Sequence, residues 1–254
     1  SGWGAYMQTS TGSIDESVRH AITKLAHIHF PATSRAHDFV VRMGEAPETV
    51  HLTGCPAIDL LVDNDLSLIP DMLNQDQGTG AQLDPSNPYI VVLQHPVTTE
   101  YGSGYEQIGS TLEAVHRLGM QTVWLWPNVD AGSDDVSKGL RMYREDNPDA
   151  NIHFYRNFPA EDYARALVGN SSSALREGAY LGVPAVNVGT RQMGREHAAN
   201  VRHAVYDADQ IEGAMRGQIE AIEANFQDVV ENTVGRVAGA GESASQDIRV
   251  AADL

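Results

Sequence analysis

The stretch from Val168 to Val201, VGNSSSALREGAYLGVPAVNVGTRQMGREHAANV, constrains the fold more than any other part of the chain. Leu167–Val168 lead into a turn of small and polar residues, Gly169-Asn170-Ser171-Ser172-Ser173. An amphipathic stretch with Leu175, Ala179 and Leu181 follows, then an apolar strand, Pro184–Val188, which ends in Gly189-Thr190-Arg191-Gln192. Strand, turn, helix, strand is the unit of a parallel sheet, because parallel neighbours need a crossover between them. Polar turns at the carboxyl ends of such strands are where a doubly wound sheet binds its ligand. Gly and Ser in the first turn present backbone N–H and hydroxyl groups to an anion over a helix N-terminus. Arg191 adds a planar cation suited to phosphate, and Glu177 a carboxylate able to accept from a ribose diol. The stretch predicts a nucleotide cradle.

The rest of the chain keeps the same rhythm. Ser13-Ile14-Asp15-Glu16 has the form of a capping box, and the helix it opens carries Val18, Ile22 and Leu25 toward a core. His29–Thr33 and Val50–Thr53 read as short strands around a second capped helix from Ser34 to about Met43. Residues 63–88 are rich in Asp, Asn, Gln, Gly and Pro, with one short helix expected around Leu66–Leu73. Strands are then expected at Tyr89–Leu93, Thr122–Trp126 and Ile152–Phe154. Helices are expected at Tyr105–Leu118, Ser133–Glu145, Ala160–Ala166, Asp209–Ala224 and from about Ser243. This alternation predicts an α/β fold with a Rossmann-like parallel sheet. Residues 1–60 offer too few strands to cover their helices and read as the tail of one domain, with 61–254 as a second, complete one.

Composition narrows the partners. The 254 residues include no apolar run of transmembrane length and no signal-peptide pattern at the start, which predicts a soluble, cytoplasmic protein. The single cysteine, Cys55, excludes an intramolecular disulfide framework and a cysteine-rich metal site. A formal net charge of −17, with Lys24 and Lys138 the only lysines, disfavours nucleic acid and anionic membrane as partners. The same charge repels a nucleotide at long range, so local Arg, His and backbone donors must hold it.

Four polar clusters fall at the carboxyl edge of the proposed sheet: 94–100 with His95, 127–132 with Asn128, the 169–173 turn, and the 189–192 turn. A fifth, Asp15-Glu16 with Arg19 and His20, lies on the first capped helix. A purely structural role is open to each. His95 and Asn128 would support their turns, Ser171 and Ser172 would cap the next helix, and Glu177 and Arg191 would be solvated. Asp15 and Glu16 would favour a helix N-terminus for dipole reasons alone. The remaining histidines show no metal-ligand spacing, so no metal is expected.

Taken together, GNSSSALREGAYLGVPAVNVGTRQMGREHAANV, TGSIDESVRHAITKLAHIHF, HLTGCPAID, VVLQHPVTTE and WPNVDAGS resemble the UDP-N-acetylglucosamine 2-epimerases, specifically their hydrolysing branch. That branch includes the epimerase half of the bifunctional enzyme that opens sialic acid synthesis. The resemblance implies two facing Rossmann-like domains in the glycosyltransferase-B arrangement, with UDP-sugar in the cleft between them. By match to the family's motifs, His95 contacts the diphosphate region and Asn128 belongs to the nucleotide-site set. Ser171 and Ser172 bind phosphate, Glu177 the ribose hydroxyls, and Arg191 lies beside the uridine. Glu16, with Asp15 as a weaker candidate, matches an acidic residue that moves a proton at C2 of the sugar.

The implied reaction eliminates UDP across C1–C2 and then hydrates the glucal, releasing N-acetylmannosamine and UDP. It needs no cofactor. The family also associates as homo-oligomers through its N-terminal domain. The sequence departs from the pattern in two places. The family's N-terminal domain is mostly without counterpart, GWGAYMQTS replacing a His-x-Glu-Gly-Gly segment. The stretch from Pro159 to Val168 leaves about two helical turns and almost no strand before Gly169, so a displaced cradle or a short strand is expected. Two other readings fit parts of the sequence: a UDP-sugar glycosyltransferase of the same fold, and a non-catalytic nucleotide-sugar-binding module.

Overall fold

The computed structural model of the protein describes residues 14–63, 78–84, 86–155 and 167–237. Its centre is a seven-stranded sheet. In chain order the strands are β1 (Gly78–Gly80), β2 (Tyr89–Leu93), β3 (Gln121–Leu125), β4 (Ile152–Tyr155), β5 (Leu167–Gly169), β6 (Ala185–Val188) and β7 (Val201–Ala204). Across the sheet they run β1-β4-β3-β2-β5-β6-β7. All pairings are parallel except β1 with β4, an antiparallel edge. The sheet is therefore the expected Rossmann-like one with a short reversed strand added. Neither β1 nor β7 was expected; both are short, and neither stands out as an apolar run.

The helices are α1 (Ile14–Leu25), α2 (Ser34–Arg42), α3 (Pro56–Asp63), α4 (Gly104–Leu118), α5 (Ser133–Asp146), α6 (Glu177–Tyr180) and α7 (Ala208–Val237). Strand residues alternate between two cores, as the two-residue period of a pleated strand requires. Ile90 and Val92 of β2 pack on one face with Ile108 and Leu112 of α4, Leu140 of α5, and Ile211 and Met215 of α7. Tyr89 and Val91 pack on the other face with Leu83, Ala174, Leu175 and Val183. Because β2 and its neighbours are covered on both sides, they read as continuous apolar runs rather than alternating ones.

The N-terminal segment is built more sparsely. Thr33 caps α2, its hydroxyl accepting from the Ala36 N–H at 3.1 Å. The two expected strands reduce to one parallel bridge, His29 with Val50, held by His29 N–H to the Thr49 carbonyl at 2.9 Å and His51 N–H to the His29 carbonyl at 2.8 Å. Val40 and Val50 form a small core of their own with Phe39, Val41 and Met43. The expectation that α1 turns Val18, Ile22 and Leu25 into a core is not met: they are 50%, 39% and 80% exposed. The spacing is amphipathic, yet these three side chains stay largely at the surface of the described residues.

The expected helices at 66–73, 160–166 and beyond 243, and the capping residue Ser13, lie outside the described residues. The helix expected at 209–224 is observed as the longer α7. No helix among the described residues is long and apolar enough to cross a membrane.

Candidate functional site

The strand order reverses at β2. The β2–β3–β4 half grows to one side with α4 and α5 on one face, and the β5–β6–β7 half grows to the other with α6 on the opposite face. Successive crossovers on opposite faces leave a crevice at the carboxyl ends of β2 and β5, where ligands bind in open α/β sheets. His95 follows β2 by two residues and Asn170 follows β5 directly. β5 is only three residues long, the short strand expected before Gly169. Gly169 stays in register with Leu93 on one side and Asn187 on the other.

That register depends on a glycine. Gly169 has φ +128°, and a Cβ there would lie 2.1 Å from the Leu93 carbonyl oxygen. Two main chains approach too closely for any side chain between them. Gly189, at the end of β6, has φ +76°, and a Cβ on it would sit 2.1 Å from the ring of Tyr206.

Four of the sequence-predicted clusters converge here. His95 is 5% exposed. Its Nδ1 accepts from the Asn128 backbone N–H at 3.1 Å, so the ring proton of the neutral form belongs on Nε2. Burial, and then the Arg191 charge, lower its pKa from 6.5 to about 4. At neutral pH His95 is thus an uncharged hydrogen-bond donor. Asn128 enters the network through its main chain. Arg191 Nη1 donates to the Asn170 carbonyl at 3.2 Å, and its Nη2 lies 3.9 Å from Asp130.

The first turn differs from the expected helix N-terminus. Instead of one amphipathic helix there is a single 3-10 turn, Ser172–Ala174, and then the one-turn α6, with Arg176 between them outside regular helical geometry. One turn carries little macrodipole. The Ser171 hydroxyl caps the 3-10 turn, accepting from Ser173 N–H at 3.2 Å. The Ser172 hydroxyl accepts from Arg176 Nη2 at 3.0 Å. The polar groups at this turn are therefore side-chain hydroxyls and the Arg176 guanidinium, and not a long helix N-terminus. Glu177, expected to be exposed if structural, is 5% exposed. Its Oε1 lies 3.5 Å from Arg176 Nη2, and its Oε2 is buried with no hydrogen-bond partner among the described residues. An ionised carboxylate only accepts, so a diol with two O–H donors fits it.

Gln192, Thr190 and Glu100 belong to the polar clusters already named, but the bonds they make carried no signal in the sequence. Gln192 is buried and donates to the Asn170 carbonyl at 2.6 Å. Glu100 bonds the Thr190 hydroxyl, joining the turn after β2 to the turn after β6. Burial, and then the Glu100 charge, raise the Tyr206 hydroxyl to about 12, keeping it neutral. His197 and His203 bring their Nε2 atoms within 3.3 Å and tie the 189–200 loop to β7. No cluster of three or more metal-ligating side chains occurs among the described residues.

A cavity of about 540 Å³ adjoins the cradle, with Thr33, Gly54, Cys55 and Ile58 on one wall and Ser172, Arg176, Tyr180, Arg195 and His197 on the other. The walls are pinned by Thr33 Oγ1 donating to Glu196 Oε2 at 3.0 Å. Asp15 and Glu16 belong to the first turn of α1; their side chains lie outside the described residues.

The sequence model of the family described as UDP-N-acetylglucosamine 2-epimerase matches residues 6–246. This chain belongs to that family. It is 31% identical over 208 residues to a UDP-N-acetylglucosamine 2-epimerase of Neisseria meningitidis, covering 81% of this chain and 54% of that protein. It is 36% identical over 195 residues to a UDP-N,N'-diacetylbacillosamine 2-epimerase (hydrolyzing) of Legionella pneumophila, covering 75% and 50%. Among solved structures, the Neisseria meningitidis UDP-GlcNAc 2-epimerase bound to UDP-GlcNAc superimposes with a TM-score of 0.63 at 17% identity, over 83% of this chain and 58% of that one. The Methanocaldococcus jannaschii UDP-GlcNAc 2-epimerase in complex with UDP-GlcNAc and UDP gives 0.57 at 11% identity, over 84% and 61%. The chain spans about half the length of the curated relatives it matches.

Proposed function

We propose that this chain holds the UDP moiety of a UDP-N-acetylhexosamine and forms part of a hydrolysing 2-epimerase that converts UDP-N-acetylglucosamine and water to N-acetylmannosamine and UDP. The carrying observation is the convergence of His95, Asn128, the 170–172 turn and Arg191 at the point where the strand order reverses. The Nε2–H of His95 faces the diphosphate, Ser171 and Ser172 hold its oxygens, Glu177 accepts from both ribose hydroxyls, and Arg191 lies beside the uridine. Residues 61–254 act as the nucleotide-holding domain and 1–60 as part of the facing one, with the adjoining cavity taking the sugar.

In the reaction a base removes the C2 proton and UDP leaves C1 with the bonding electrons, giving a C1=C2 double bond. Water then supplies O–H to C1 and a proton to the opposite face of C2. Glu16, with Asp15 beside it, is the proton-transfer group we assign. His95 and the Ser171 and Ser172 hydroxyls stabilise the departing diphosphate, a role that needs donors fixed before the charge develops. A homo-oligomer in solution and a cytoplasmic setting accompany this reading.

Calorimetric titration with UDP tests the first half: saturable one-site binding is expected, and no heat with a chain still folded by circular dichroism overturns it. Assay of UDP release from UDP-N-acetylglucosamine tests the second. Hydrolysis that falls at least about 10²-fold in Glu16→Gln supports the proton-transfer role. Release only when an acceptor sugar is added identifies a transferase, and binding without release identifies a binding module.

A further inference from the structure

Two of the groups assigned to the nucleotide, His95 and Arg191, are bonded by the same residue, Asn170. Asn170 is fully buried. Its Oδ1 accepts from the His95 backbone N–H at 2.7 Å while its Nδ2 donates to the His95 carbonyl at 2.8 Å. This two-bond clip fixes the main chain of His95 from both sides. It begins where the β2–β5 ladder ends, at the bond from Asn170 N–H to the Leu93 carbonyl, 3.1 Å. The carbonyl of Asn170 accepts from Arg191 Nη1 at 3.2 Å and from Gln192 Nε2 at 2.6 Å. One residue therefore sets the position of an imidazole arriving from β2 and of a guanidinium arriving from β6.

We propose that Asn170 is the positioning residue of this site, acting on the nucleotide only through His95 and Arg191; the statement rests on the UDP-holding reading of those two groups. Few other side chains meet the requirement at this length. The clip needs one acceptor and one donor in a plane, which a short amide supplies and a carboxylate does not. In an aspartate the second oxygen would face the His95 carbonyl oxygen. Alanine would leave both His95 main-chain groups buried without partners, a cost large enough for the 95–97 turn to move and take the ring with it. Asn128 holds the ring through Nδ1 but touches neither main-chain group, so it cannot replace the clip.

The test uses the full chain and two readouts, one without ligand. Side-chain ¹⁵N spectra of His95 in the wild type should show a single Nε2–H tautomer near neutral pH. In Asn170→Ala the signal should pass to a mixture of tautomers and titrate closer to an ordinary histidine, and UDP should bind roughly 10- to 100-fold more weakly. A folded Asn170→Ala protein with the wild-type His95 spectrum and unchanged UDP affinity overturns the proposal, and reduced thermal stability alone would mark Asn170 as merely structural. If Asn170→Ala does not fold, Asn170→Asp, which keeps the acceptor and loses the donor, is read in the same two ways. A wild type that fails to bind UDP removes the proposed function, while the His95 spectra still decide whether Asn170 positions the ring.

Discussion

At the scale of single residues, the charge state of His95 is the property the site depends on most. Its pKa lies at about 4 because the ring is buried and faces Arg191. In the unfolded chain the same ring titrates near 6.5. A histidine lowered on folding is bound to fewer protons in the native state between these values. Stability is therefore full above about pH 6.5 and is lost as the pH falls toward 4. The loss attributable to His95 is about 3 kcal/mol. Urea unfolding from pH 7.5 to 4, with His95→Gln alongside to subtract the carboxylates, should show a steeper decline in the wild type; parallel curves would refute the assignment. The identity of His95 was legible in its place after an apolar strand. Its tautomer and pKa were not, since they come from burial, from Asn128 and from Arg191, the last two 33 and 96 residues further along the chain. Gly169 shows the same limit. The sequence marks it as a source of a free N–H, whereas its structural necessity is the Leu93 carbonyl against its Cα.

Among the elements, legibility followed packing. Strands β2, β3, β4 and β6 and helices α4 and α5 were readable because both faces of the sheet are buried there and the apolar periods are complete. β7 was missed because only Val201 and Ala204 are buried, leaving Arg202 and His203 to break the pattern. The helix after β5 was overestimated because its apolar spacing survives a break at Arg176 and a left-handed end at Gly182. Helices α4 and α5 meet closely at Gly139. Gly139 lets α5 approach so closely that an added Cβ would lie 2.5 Å from Cγ2 of Ile108, which is itself fully buried. Gly139→Ala should cost about 1–3 kcal/mol through overpacking. Ile108→Ala should cost about 2–5 kcal/mol through the cavity it leaves. The two changes share one volume, so the double variant should be more stable than the sum of the singles by at least about 1 kcal/mol. Additive losses in chemical denaturation would mean the helices separate instead of filling the gap.

For the whole molecule, the net charge of −17 and the proposed nucleotide site pull in opposite directions. On the proposed reading, the long-range field repels UDP while Arg191 and the donors around Asn170 attract it over a few ångströms. Salt separates the two contributions, because screening acts first on charges far apart and exposed and least on partly buried groups in contact. Raising ionic strength from about 10 mM to about 150 mM shortens the screening length from about 30 Å to about 8 Å. The repulsion from the distant surface then largely disappears while the contacts at the cradle persist. UDP should accordingly associate faster at the higher salt, opposite to the behaviour of a site served by a basic surface. The same screening relieves self-repulsion in the folded chain, so its unfolding midpoint should rise over the same range. Stopped-flow association rates with UDP, measured at both ionic strengths with chloride as the only added anion, decide the matter. A rate that falls with salt would mean that the arginines of the cradle, and not the acidic surface, govern the approach of the ligand.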